Sequence, residues 1–199
     1  MARSLKPVVF VLGLVPLAWV IYAAGVGRLG PDPVKSLMLF TGEWALRMLL
    51  LTLVVSPLQR WTRWSSPMKM RRMLGLFAFF YGCIHFAAFL QFYLGWDFAG
   101  LSEELAERPF ITLGFSAWLL MLPLAATSTR NMQRRLRGNW QRLHRLVYPA
   151  AVLACLHLLW QARSDVGEAL AYLLIFATLL AWRFRRYWQK QRVVAAARS

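Results

Sequence analysis

Six stretches of this chain are each about as long as a bilayer is thick, and they constrain the fold more than any other feature. They cover residues 7–24, 37–58, 73–94, 109–126, 140–160 and 169–188. Hydrocarbon offers no water to backbone N–H and C=O groups, so a spanning stretch of roughly 20 apolar residues closes its own hydrogen bonds as an α-helix. The expected fold is an all-α integral membrane protein: a six-transmembrane-helix bundle, one domain over residues 1–199. Arg3 and Lys6 ahead of the first stretch, with Ala23-Ala24-Gly25 after it, imitate a signal peptide. The run is long for that role and five more follow, so it is read as a helix.

Local signals punctuate these spans. Asp32-Pro33, Ser66-Pro67 and Asn139-Trp140 each place a capping residue ahead of a helix, and Arg108-Pro109 opens the fourth span. Trp61, Trp64, Trp96, Trp140, Trp160, Trp182 and Trp188 fall near span ends, as rings at the headgroup level do. A formal net charge of +16 would suit nucleic acid, but the basic residues cluster between apolar stretches. With the N-terminus inside, nineteen Lys and Arg fall on the cytoplasmic side and four on the other. That bias makes both termini cytoplasmic. The basic loops are read as obeying this topology rule, with a docking surface for a cytosolic donor or for anionic lipid headgroups as the secondary reading and nucleic acid set aside. Asp97, Glu103, Glu104 and Glu107 form an acidic loop outside.

The chain has only three histidines, and all three fall inside apolar spans. An ionisable residue in the membrane marks function by default. His144 and His157 share the fifth span, thirteen residues apart, and His85 lies on the third. Both spans run outward. His85 is twelve residues past Met73, roughly 18 Å from the inner end, and His157 is near the outer end. These two share a depth; His144 lies roughly 20 Å below. Two imidazoles facing each other across a bundle make an axial pair for a b-type haem. Gly82, Cys83, Ala87 and Ala88 around His85, and Ala150, Ala151 and Ala154 around His157, leave room for a porphyrin. The alternative is ordinary helix packing, with each histidine bonded to a neighbouring helix. A non-redox transporter or scaffold would use them so.

Trp140-x-x-x-His144, Tyr148 and His157, with Arg71-Arg72-x-x-Gly75 and His85, resemble the ferric reductase-like transmembrane domain. More closely, the chain is similar to the MsrQ family, haem-binding membrane subunits of bacterial periplasmic methionine sulfoxide reductase systems. Gly30-x-Asp32-Pro33-Val34-Lys35, Phe40-Thr41-Gly42, Arg108-Pro109-x-x-x-Leu113-Gly114 and Thr127-Ser128-Thr129 extend the match over nearly the whole chain. The resemblance implies a bacterial inner-membrane protein that carries b haem. It implies electron relay from a cytosolic flavin reductase with FMN, or from quinol, to a periplasmic molybdopterin-containing sulfoxide reductase that repairs oxidised methionine. The outer haem falls on His85 and His157. The two-haem members of the wider family imply a second, inner haem on His144. The position opposite, thirteen residues before His85, is Arg72, and a guanidinium is not a standard iron ligand. His144 then serves either an inner haem or a flavin or quinone at the cytoplasmic face. Thirteen residues also turn an ideal helix by roughly 1300°, so His144 and His157 stand about 140° apart unless Pro149 kinks the span.

Arg47, well inside the second span, has two readings: an ion pair with Glu43 one turn away, or a partner for a haem propionate. Arg163, just beyond His157, is a propionate candidate or a solvated loop residue. Cys83 and Cys155 read as packing residues. No Gly-x-Gly-x-x-Gly follows a strand and no Cys-x-x-Cys-His occurs. Donor and acceptor domains belong to other proteins.

Overall fold

The computed structural model describes residues 5–63, 70–162 and 166–196. Ser66-Pro67, Trp64 and Arg163 lie outside them. In chain order the helices are α1 (Leu5–Gly25), α2 (Pro33–Thr62), α3 (Arg71–Phe92), α4 (Phe98–Glu107), α5 (Pro109–Ala126), α6 (Arg130–Leu136), α7 (Gly138–Leu143), α8 (Val147–Gln161) and α9 (Gly167–Ala196). Among the described residues six helical segments are long and apolar enough to cross a membrane, α7 and α8 counting as one. They match the six expected spans to within a few residues, except that α9 runs on to Ala196.

Start signals act where the chemistry allows. Asp32 accepts from the Lys35 N–H at 3.0 Å and Pro33 is the first residue of α2. The acidic stretch expected as a loop folds into α4, opened by Asp97 Oδ1 accepting from Ala99 N at 2.9 Å. Asn139 does not cap the fifth span. That helix begins a residue earlier, at Gly138, after Arg137 turns the chain with φ 47°.

The fifth span breaks, as Pro149 requires, but upstream of the proline. A proline ring clashes with the carbonyl four residues back and offers it no N–H. For Pro149 that carbonyl is Arg145's, and residues His144–Leu146 form a 3₁₀ turn between α7 and α8. A side chain interrupts α1 in another way. Beside Pro16, the Tyr81 hydroxyl donates to Gly13 O at 2.7 Å and accepts from Leu17 N at 3.2 Å. The phenol is inserted in an i→i−4 bond of the helix, and its side chain is fully buried.

Two helix pairs dominate the packing, α2 along α3 and α5 along α8. Leu46, Leu49 and Leu53 of α2 meet Ala78 and Tyr81 of α3, Ala151 and Cys155 of α8, and Phe176 of α9 in the core. Arg183 ties α9 to α2 by donating to Leu53 O at 2.5 Å. The end of the bundle where α3 turns to α4 and α5 carries Asp97, Glu103, Glu104 and Glu107, while Arg60, Arg63, Arg71, Arg72 and the arginines of α6 and α7 lie at the other.

Candidate functional site

His85 on α3 and His157 on α8 meet across the bundle, their ring centroids 6.2 Å apart and their planes at 80°. Both are held from behind by a helix carbonyl. His85 Nδ1–H donates to Met38 O at 3.0 Å, with Thr41 Oγ1 at 3.3 Å as a second acceptor. His157 Nδ1–H donates to Phe110 O at 2.7 Å. A carbonyl can only accept, so the proton of each ring sits on Nδ1 and Nε2 keeps its lone pair.

The two supports are built alike. Four residues past each acceptor stands a glycine, Gly42 on α2 and Gly114 on α5. In a helix the carbonyl of residue i faces the N–H of residue i+4, so a side chain there would cover its free lone pair. A Cβ on Gly42 would lie 3.1 Å from His85 Nδ1, and one on Gly114 only 2.8 Å from His157 Nδ1. Acceptor and imidazole are 47 residues apart in both pairs. The arrangement of α2 and α3 thus recurs in α5 and α8.

An imidazole–metal bond of about 2 Å puts the ring centre about 3 Å from the metal, so two opposed rings stand about 6 Å apart. The observed separation has that value. Among the described residues no three His, Cys, Asp or Glu gather as a metal site. Two protein ligands on opposite sides suit a metal whose other ligands come from a planar macrocycle. The rings line a cavity of about 250 Å³. Its walls are apolar in the bundle, with Leu46, Leu49, Ala78, Trp118 and Met121, and polar at the acidic end, with Lys35, Glu43, Arg108 and Gln161.

Gly82 and Ala154, two of the small residues singled out by the sequence, line the cavity with this pair; Arg47, Arg72, His144 and the cysteines stand in other surroundings. Arg47 donates to Glu43 at 2.7 Å, Glu168 at 3.3 Å and the Tyr172 hydroxyl at 2.8 Å, which joins α2 to α9. It is not among the residues lining the cavity. His144 is at the basic end, stacked on Trp140 with centroids 3.8 Å apart, its Nδ1–H donating to Trp140 O at 3.1 Å. The ring's other polar neighbours are the Leu124 carbonyl and the Arg71 guanidinium. Arg72 is exposed, while Arg71 is half-buried and donates to Ser56 Oγ at 3.3 Å. With His85 and His157 facing each other, the chain has no imidazole left to face His144. Cys83 accepts from Trp118 Nε1 at 3.4 Å and Cys155 is buried in the core.

Sequence reasoning assigned no role to Gly42, Gly114, Thr41 or the two carbonyls. Thr41, Gly42 and Gly114 do stand in the stretches that carry the family resemblance, and the further signal is glycine inside an apolar span, where it costs about 1 kcal/mol of helix stability against alanine.

Comparison with known proteins bears on this geometry. The family described as "Ferric reductase like transmembrane component" matches residues 41–155, which include His85, His144 and the two glycines Gly42 and Gly114 and end two residues short of His157. The "Protein-methionine-sulfoxide reductase heme-binding subunit MsrQ" of Xanthomonas axonopodis pv. citri (strain 306) is 45% identical, over 98% of this chain and 91% of its own length. The protein of the same name from Polaromonas naphthalenivorans (strain CJ2) is 42% identical, over 94% of this chain and 87% of its own.

Proposed function

The chain belongs to the ferric reductase-like transmembrane family and, within it, to the MsrQ group of multi-pass bacterial membrane proteins, and we propose that it is the haem-carrying electron-transfer subunit of a methionine sulfoxide reductase system. The observation that carries this reading is the opposed pair His85 and His157, each Nδ1 bonded to a helix carbonyl. These two residues would hold the iron of a b haem through Nε2. A bound haem supplies one-electron carriage between ferric and ferrous iron.

The residues of the chain do the rest. Met38 O and Phe110 O fix the ring planes and make each imidazole a stronger base, which favours the ferric state and a low potential. Gly42 and Gly114 keep those carbonyls open. The apolar walls exclude water. The basic end faces the cytoplasm and receives electrons from a flavin reductase with FMN, or from quinol; His144, stacked on Trp140, lies at this end. The acidic end faces the periplasm and a molybdopterin-containing sulfoxide reductase that performs the repair.

Reduced-minus-oxidised spectra of the purified protein test the reading. We expect b-type bands in the wild type, their loss in His85→Ala and His157→Ala, and their retention in His144→Ala. Full spectra in both of the first two variants would refute the ligand assignment.

A further inference from the structure

The cavity is polar at one end only, and this bears on how a haem would sit in it. Lys35, in the first turn of α2, Arg108, just ahead of α5, and Gln161, the last residue of α8, all line its acidic-end mouth. The lining deeper in the bundle is hydrocarbon and aromatic. A haem has two carboxylates on one edge, and the rest of its rim is methyl and vinyl. Burying a carboxylate among Leu46, Leu49 and Met121 would leave a charge without a partner, whereas the mouth offers two cations. Arg47 is set aside for this role because it does not line the cavity and its Nε and Nη2 are tied to Tyr172, Glu43 and Glu168. Arg108 is bound through Nη1 to Glu104 at 3.2 Å, and its planar fork retains further N–H groups. Glu43 and Glu104 also lie near this mouth, each with an arginine 2.7 Å and 3.2 Å away respectively.

We infer that Lys35 and Arg108 are the carboxylate-binding residues of the haem site and orient the haem with its propionate edge toward the acidic end. The inference rests on the proposal that His85 and His157 hold haem. It separates two cationic residues that the sequence presents only as flanks of helix starts from Arg47, which is a tie between helices.

The test uses the full chain in detergent, loaded with haem or with haem dimethyl ester, and follows transfer to apomyoglobin by absorbance. Lys35→Gln and Arg108→Gln should each lose free-acid haem about tenfold faster than wild type, the size expected for a charged hydrogen bond. Neither should speed loss of the ester, which has no carboxylate to hold. Glu104→Gln breaks the same ion pair as Arg108→Gln but keeps the cation, and should not accelerate loss. Equal acceleration for acid and ester, acceleration by Glu104→Gln matching that of Arg108→Gln, or no change in either lysine or arginine variant would overturn the inference while leaving the haem reading intact. A wild type that takes up neither form would overturn both.

Discussion

A methyl group at Gly114 would stand 2.8 Å from His157 Nδ1 and 3.0 Å from Cε1, too close for carbon. The ring would have to leave Phe110 O, and with that bond goes its fixed tautomer and direction. Overpacking of this kind costs about 1–3 kcal/mol. Gly114→Ala should therefore lose most of its haem, measured as haem per protein by pyridine haemochrome. Gly42→Ala, with its nearest approach at 3.1 Å, should lose less, because Thr41 Oγ1 remains as a second acceptor for His85. Equal haem content in Gly114→Ala and wild type would mean that this glycine is a packing residue only. His144 illustrates the opposite case. Stacked on Trp140 and remote from the other two rings, it can be changed without disturbing them.

Helices α1 and α9 are attached by particular polar contacts, and each can be loosened without touching the imidazoles. For α1 the contact is the Tyr81 phenol between Leu17 N and Gly13 O. Tyr81→Phe removes it and should lower stability by about 1 kcal/mol. Gly13→Ala should cost more, since its Cβ would come within 2.5 Å of the Phe77 ring that α3 presents to α1. Thermal unfolding in detergent measures both, and the haem spectrum should survive because no α1 residue lines the cavity. For α9 the contacts are Arg47 at one end and Arg183 at the other. Arg47→Gln should cost no more than about 1 kcal/mol, because the pair with Glu43 is partly open to solvent. Loss of haem in Arg47→Gln with unchanged stability would instead place that residue at the cofactor.

Across the whole molecule, charge is divided between the ends. By sequence, nineteen of the Lys and Arg residues are expected on one side of the membrane and four on the other; among the described residues, Arg60, Arg63, Arg71 and Arg72 lie at one end of the bundle and Asp97, Glu103, Glu104 and Glu107 at the opposite end. A positive-inside bias of this size sets orientation. Fused at the C-terminus, alkaline phosphatase should be inactive and a fluorescent protein bright; phosphatase inserted within residues 98–107 should be active. The reverse pattern would put the imidazole pair near the cytoplasmic face and reverse the proposed direction of electron flow. The two halves of the bundle, α2 with α3 and α5 with α8, contribute one imidazole each. Neither half alone completes the pair.

The sequence by itself determined the six spans, the helix starts at Pro33 and Pro109, and the shared depth of His85 and His157. Each of these follows from local chemistry: backbone bonds that hydrocarbon leaves to the helix, a proline without N–H, and a fixed rise per residue. Only the tertiary structure decided what surrounds the histidines. Whether Arg71 or Arg72 turns toward His144 depends on the rotation of α3, since neighbours on a helix point about 100° apart. Packing against α2 turns Arg71 inward. The break ahead of Pro149 was legible as a kink, but its place at His144–Leu146 depends on which carbonyl the ring meets. The carbonyls of Met38 and Phe110 carry no mark in a sequence, because every residue has one. They became acceptors when a glycine on one helix let a histidine from another approach.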